Sequence, residues 1–135
     1  APADLVAVFG EGRFRISGFA ARAPSFSPDD SLLAVSSENE VYLFDSSTGE
    51  RRAAFGPFGT VLATCFSPDG KTLAVGDRAV HLVDARSGLV LRTLTPPAPG
   101  EVTMLYFTPD GKALVSGSQN GSGTAVWEVE TGELL

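Results

Sequence analysis

The sequence predicts an all-β chain of about three four-stranded antiparallel units, and three observations carry that prediction. A turn signature occurs three times, as Phe26-Ser27-Pro28-Asp29, Phe66-Ser67-Pro68-Asp69 and Phe107-Thr108-Pro109-Asp110, with the phenylalanines 40 and then 41 residues apart. Matching features follow each copy: a leucine seven residues on (Leu33, Leu73, Leu114), an alternating apolar run closed by an acid (Asp45, Asp84, Glu128), and a glycine four residues past that acid (Gly49, Gly88, Gly132). Glycine and proline, 15 and 9 in number, punctuate the chain throughout, and no stretch sustains the 3.6-residue period of a helix. A repeat of this length means one supersecondary unit copied in tandem, each copy needing its neighbours to bury its apolar faces.

The elements follow in order. Leu5 to Phe9, the turn Gly10-Glu11-Gly12 and Arg13 to Ile16 read as two strands, the middle of a unit whose front half is missing. The link from Ser17 to Phe26 is about a dozen residues shorter than its counterpart between Asp45 and Phe66, so a strand is lost there and residues 1–23 are expected to be a degenerate remnant. Residues 24–60, 61–101 and 102–135 are the three fuller units. In the second, Val61 to Phe66 is a strand, Ser67 to Lys71 a tight turn and Thr72 to Gly76 the next strand, and Phe66, like Phe107 in the third, is expected to be buried beneath its turn. Proline sets φ at the first corner, the aspartate accepts from nearby N–H groups, and Gly70 takes the positive φ that follows. The turn Asp77-Arg78, a third strand Ala79 to Asp84, the turn Ala85 to Gly88 and a fourth strand Leu89 to Leu94 complete the unit. The first unit repeats this with Glu38-Asn39-Glu40 and Ser46 to Gly49 in its turns. The third has a longer middle turn, Gln119 to Gly123, within a glycine-rich stretch Gly117 to Gly123 expected to be a mobile hairpin, and stops at Leu134-Leu135 on the threshold of its fourth strand.

With 135 residues, 43% of them hydrophobic, the chain has the size and core of one domain. A net charge of −6 with ten scattered basic residues argues against nucleic acid or an anionic membrane as partner. The lone cysteine, Cys65, excludes an internal disulfide and reads as a small buried hydrophobe. No apolar run approaches the about 18 residues of a membrane span and no leader opens the chain, so a cytoplasmic location is favoured. The absence of an initiating methionine fits a processed precursor or an excised piece equally.

Reactive chemistry finds few residues to work with. A zinc site wants several His or Cys at ligand spacing, and there is one of each. A Ser-His-acid triad has only His81, which sits in a third strand aligned with Tyr42 and reads as a satisfied strand histidine. Gly10-x-Gly12 lacks the third glycine and the helix of a phosphate cradle. Asp29, Asp69 and Asp110 recur in every unit, which points to turn capping rather than to acid–base catalysis. Gly117 to Gly123 lacks the alternating acids of a calcium loop. No catalytic residue, metal ligand or cofactor is therefore expected.

Four-stranded units at a period near 40 that close on an apolar-acid pair are the pattern of propeller blades, so the fold class is a partial β-propeller of about three blades plus a two-strand remnant. The chain resembles the WD-repeat propellers, in the bacterial-style variety with Ser-Pro-Asp-Gly turns, well from Pro24 onward and weakly over Leu5 to Ile16. Trp127-Glu128 comes near the family's tryptophan-aspartate pair, whereas Phe44-Asp45 and Val83-Asp84 keep the acid and replace the indole. Blades of that family usually carry a Gly-His pair before the first strand, whose histidine bonds an acid in the middle turn. Gly59-Thr60 and Gly100-Glu101 occupy that region here, so this lock is expected to be absent: Asp77 has no histidine partner in the motif position and is left to cap local backbone donors.

The resemblance implies a non-catalytic protein-interaction scaffold. Two rivals stay open: an accessory propeller segment of a multidomain peptidase or protein kinase, and a small-ligand-binding propeller. On the face formed by the middle turns and the inter-blade links, Phe58, Arg78, Gln119 and Asn120 are the candidate partner-binding residues, being of types that anchor or adapt to partners. For Phe58, packing over the neighbouring blade's edge is the plainer reading. The expected partners are proteins, together with missing blades of a longer chain or a second copy, because propellers take about 4–8 blades. Nucleic acid and membrane are not expected.

Overall fold

The computed structural model describes residues 22–119 and 123–135, and these are all-β. Strands β1 (Arg22–Phe26), β2 (Leu32–Ser37), β3 (Glu40–Asp45) and β4 (Arg51–Phe55) form the first sheet in chain order. The second sheet runs β5 (Ala63–Phe66), β6 (Thr72–Gly76), β7 (Val80–Asp84) and β8 (Val90–Leu94). The third holds β9 (Val102–Phe107), β10 (Ala113–Ser118) and β11 (Thr124–Glu128), with a single bridge from Trp127 to Leu134 where its fourth strand begins. Every paired strand is antiparallel to its neighbour. The two strands expected over Leu5 to Ile16, and Asn120 to Ser122 of the long middle turn, lie outside the described residues. Among the described residues no helix is long and apolar enough to cross a membrane.

The recurring turn explains why the units fold alike. Asp69 accepts from the Ser67 hydroxyl at 2.6 Å and the Lys71 N–H at 3.0 Å, while the Ser67 hydroxyl oxygen accepts the Thr72 N–H at 3.1 Å. Asp110 repeats this with Thr108 and Lys112, and Asp29 with Ser27 and Ser31. These donors favour the ionised carboxylate. At Asp29 the Ser31 hydroxyl, the Ser31 N–H and the Ser27 hydroxyl together bring the pKa down to about 2. Gly70 and Gly111 follow with φ of 73° and 71°, and Asp30 takes the same left-handed corner at 61°. The aspartate closing the third strand of the first two sheets caps the later turn: Asp84 accepts from the N–H groups of Arg86 and Ser87, both at 2.9 Å, as Asp45 does from those of Ser47 and Thr48. Gly88 N–H returns to the Asp84 carbonyl at 2.8 Å, which is the physical content of the acid-to-glycine spacing.

Register assigns the faces. Phe66, Leu73 and Val83 are cross-strand partners, so they share one face of the second sheet, and they pack on Val41, Leu43 and Phe55 of the first. Ala74 and Leu82 point the other way, onto Leu105, Leu114 and Trp127 of the third. β6 is buried on both faces, which is why Leu73-Ala74-Val75 is a continuous apolar run rather than an alternating one. The inner strands β1, β5 and β9 neighbour one another across the sheets, and the Thr64 hydroxyl donates to the Ala23 carbonyl at 2.6 Å.

Three expectations are revised. Val61 and Leu62 precede β5 instead of belonging to it, although Val61 is buried and Leu62 N–H bonds Gly76 at 3.0 Å. Phe107, expected to be buried like Phe66, is only half-buried against the second core. Cys65 is half-buried as well, with its thiol pKa pushed up by the burial it does have.

Candidate protein-interaction face

The link 56–62 and the middle turn of the second sheet meet around one carboxylate. Asp77 Oδ2 accepts the Gly59 N–H at 2.8 Å and Oδ1 accepts the Ala79 N–H at 2.8 Å. His81 Nε2 lies 3.0 Å from both oxygens, and its Nδ1 is 3.3 Å from the Thr93 hydroxyl. The Asp77 carbonyl accepts the Val102 N–H at 2.7 Å, at the start of the third sheet. One residue thus ties the preceding link, its own turn and the following unit together. Burial opposes ionisation of Asp77, but the Ala79 and Gly59 N–H groups and the His81 ring outweigh it and hold the carboxyl below its usual range.

The histidine of the motif position is absent as expected, but Asp77 has a histidine partner from elsewhere in the unit. The histidine comes from β7 rather than from the link, and the glycine of the link contributes its N–H instead. No spacing signal marks the pair, because Asp77 lies in the bend before β7 and the alternation along that strand does not reach it. In the third sheet the buried indole Nε1–H of Trp127 donates to Ser116 at 2.8 Å, joining β11 to β10 by side chains.

Phe58 is half-buried, set against the first core with its ring centroid 5.2 Å from that of His81, and its N–H donates to the Asn39 carbonyl at 2.7 Å. Arg78 is exposed at the rim of an open depression of about 750 Å³ shared with Thr95, Pro96 and Glu101. Gln119 is exposed in the corresponding turn of the third sheet, and Asn120 lies outside the described residues. The structure brings Phe58 and the Asp77-Arg78 turn together through Gly59 and His81, and leaves Gln119 on a separate unit. Among the described residues, no three His, Cys, Asp or Glu side chains gather as a metal site. On the opposite turns, Asp29, Asp69 and Asp110 are occupied by backbone and hydroxyl donors.

Comparison with known proteins agrees with this architecture. The repeat family described as "WD domain, G-beta repeat" matches residues 50–84 and 88–122. The chain is 32% identical over 98 residues to an uncharacterized WD repeat-containing protein of Synechocystis, covering 70% of this chain and 28% of that protein. It is 33% identical over 119 residues to the telomerase Cajal body protein 1 of Bos taurus, covering 77% and 22%. With the periodic tryptophan protein 2 homolog of Schizosaccharomyces pombe it shares 31% identity over 113 residues, covering 78% and 13%. The matches span less than a third of each relative's length.

Proposed function

This chain belongs to the WD-repeat family, and from that premise we propose that it is a non-catalytic protein-interaction scaffold, a segment of a larger or oligomeric propeller. Its units are residues 24–60, 61–101 and 102–135, preceded by the remnant 1–23, and its partner contacts fall on the face carrying Phe58, Arg78, Gln119 and Asn120. The observation that carries the reading is the outer face of the third sheet. Met104 and Tyr106 on β9 and Val126 on β11 are 48%, 63% and 36% exposed, although the opposite face of the same strands is a packed core. An apolar sheet face of that kind is an association surface, and a further blade is its natural cover, from a longer chain or from a second copy. Relatives several times longer than the matched region fit the first source.

Light scattering with particle images tests the assembly: the isolated chain should self-associate or form a closed ring. A stable monomer that unfolds cooperatively would refute the segment reading. A photo-crosslinking residue at position 78 or 119 should capture protein partners in cells more than one at position 71, on the opposite turns. Equal capture from the two faces would remove the proposed contact face.

A further inference from the structure

The outer rim of the second sheet differs chemically from that of the first at equivalent positions. β8 is an edge strand, paired with β7 alone. Leu89, Val90 and Leu91 follow Gly88 as Glu50, Arg51 and Arg52 follow Gly49. The registers agree: Val90 faces Val83 and Arg92 faces Leu82, with Leu91 the extra residue between them, just as Arg51 faces Phe44 and Ala53 faces Leu43 around Arg52. Three aliphatic side chains, 66%, 51% and 59% exposed, therefore stand where the first sheet has three charged ones.

Charged side chains along an edge discourage another strand from pairing there. In the first sheet they are also held in place, with Arg51 over the Tyr42 ring at 5.6 Å and Arg52 3.9 Å from Asp45. β8 has one cation, Arg92, and it is drawn off sideways: its guanidinium donates to the Glu130 and Thr131 carbonyls of the third sheet at 2.9 and 2.8 Å. The side chain of Glu130, whose carbonyl receives Arg92, is exposed beside the strip without a basic side-chain partner among the described residues.

We propose that β8 is a strand-addition site that takes up an extended, aliphatic peptide segment with basic flanks, about five residues long, from another protein. Main-chain hydrogen bonds would supply the affinity and the alternate side chains the selectivity. Five residues at about 3.3 Å each match the about 17 Å length of the strand. Charge selects this occupant over a second copy: the exposed acidic neighbour Glu130 and a net charge of −6 favour basic flanks, whereas a second copy would bring the same negative charge against itself. The site lies on the rim, away from Phe58 and Arg78, so it stands or falls independently of the face proposed above.

The test is fluorescence anisotropy on the full chain, with a labelled peptide of alternating valine and threonine capped by a lysine at each end. The wild-type chain should bind it, and a peptide with a central proline should bind at least tenfold more weakly. Leu89→Glu/Val90→Arg/Leu91→Arg copies onto β8 a rim that the first sheet already accommodates, and should lower affinity at least tenfold. The reciprocal Glu50→Leu/Arg51→Val/Arg52→Leu should raise the stoichiometry from one peptide to two. Absence of binding to the wild type, or equal binding by the charged-rim variant, would overturn the proposal. So would a wild-type dimer that the charged-rim variant converts to monomer, since the strip would then be covered by a second copy.

Discussion

The second and third sheets are copies of one unit with different fates for the same residues. Phe66 is 6% exposed while Phe107, its counterpart, is half-buried. Leu73, Ala74 and Val75 are all fully buried, whereas β10 buries Leu114 completely and leaves Val115 half-exposed. Local structure is equal in the two: the same turn, the same capping aspartate, the same antiparallel register. What differs is the neighbour. The second sheet is covered on both faces and the third on one, so burial in this fold is conferred by stacking rather than by the strand that carries the residue.

The largest effect that sharpens the comparison is Phe66→Ala, which should cost about 3–5 kcal/mol in urea unfolding, as deep aromatic truncations do. Phe107→Ala should cost about half as much, and equal losses would break the contrast. Next comes Gly88→Ala. At φ of 76° an added Cβ would meet the Phe55 ring at 2.4 Å, so left-handed strain and overpacking should together cost about 2–4 kcal/mol. Asp77→Ala should cost about 2 kcal/mol by stranding the Gly59 and Ala79 N–H groups, while Gln119→Ala in the third sheet's turn should stay within about 0.5 kcal/mol. Because the folded pKa of Asp77 is depressed, its contribution is complete above the unfolded value of about 3.9 and is lost as pH falls through the folded value. Acid unfolding of the Asp77→Ala variant should accordingly be less pH-dependent in that window than that of the wild type. The smallest effect expected is for Tyr106→Ser, within about 0.5 kcal/mol at concentrations too low for the chain to self-associate; a loss above about 1 kcal/mol there would mean that the single chain covers that face itself.

Much of this was legible from spacing. The Phe-Ser-Pro-Asp turns, the acid-to-glycine interval and the alternating third strands place all three sheets, because those features are local: a turn's hydrogen bonds close within a few residues. The histidine lock was not legible by that route. It needs His81, the Asp77 turn and Gly59, 18 residues upstream, to converge, and a search for a histidine in one fixed place passes over another that reaches the same carboxylate from a different strand. Phe107 was misjudged for a related reason, since a repeat signature reports what each copy contains and says nothing of what lies against it. Of the four candidate contact residues, Phe58 was the hardest to place. A Gly/Pro loop can present an aromatic to solvent or fold it onto the next blade, and the ring lies against both His81 and the first core, in line with the plainer of those two readings.

The several bonds to Asp77 also bear on how the chain opens in time. Its carboxylate and carbonyl engage three amides, Gly59, Ala79 and Val102, drawn from successive stretches of chain. Release of that one residue exposes all three to solvent at once, so their deuterium uptake should follow a shared opening rate rather than three local ones. A fluctuation begun at one seam would pass to the next through that residue, which makes the second sheet a relay in the chain's slow breathing.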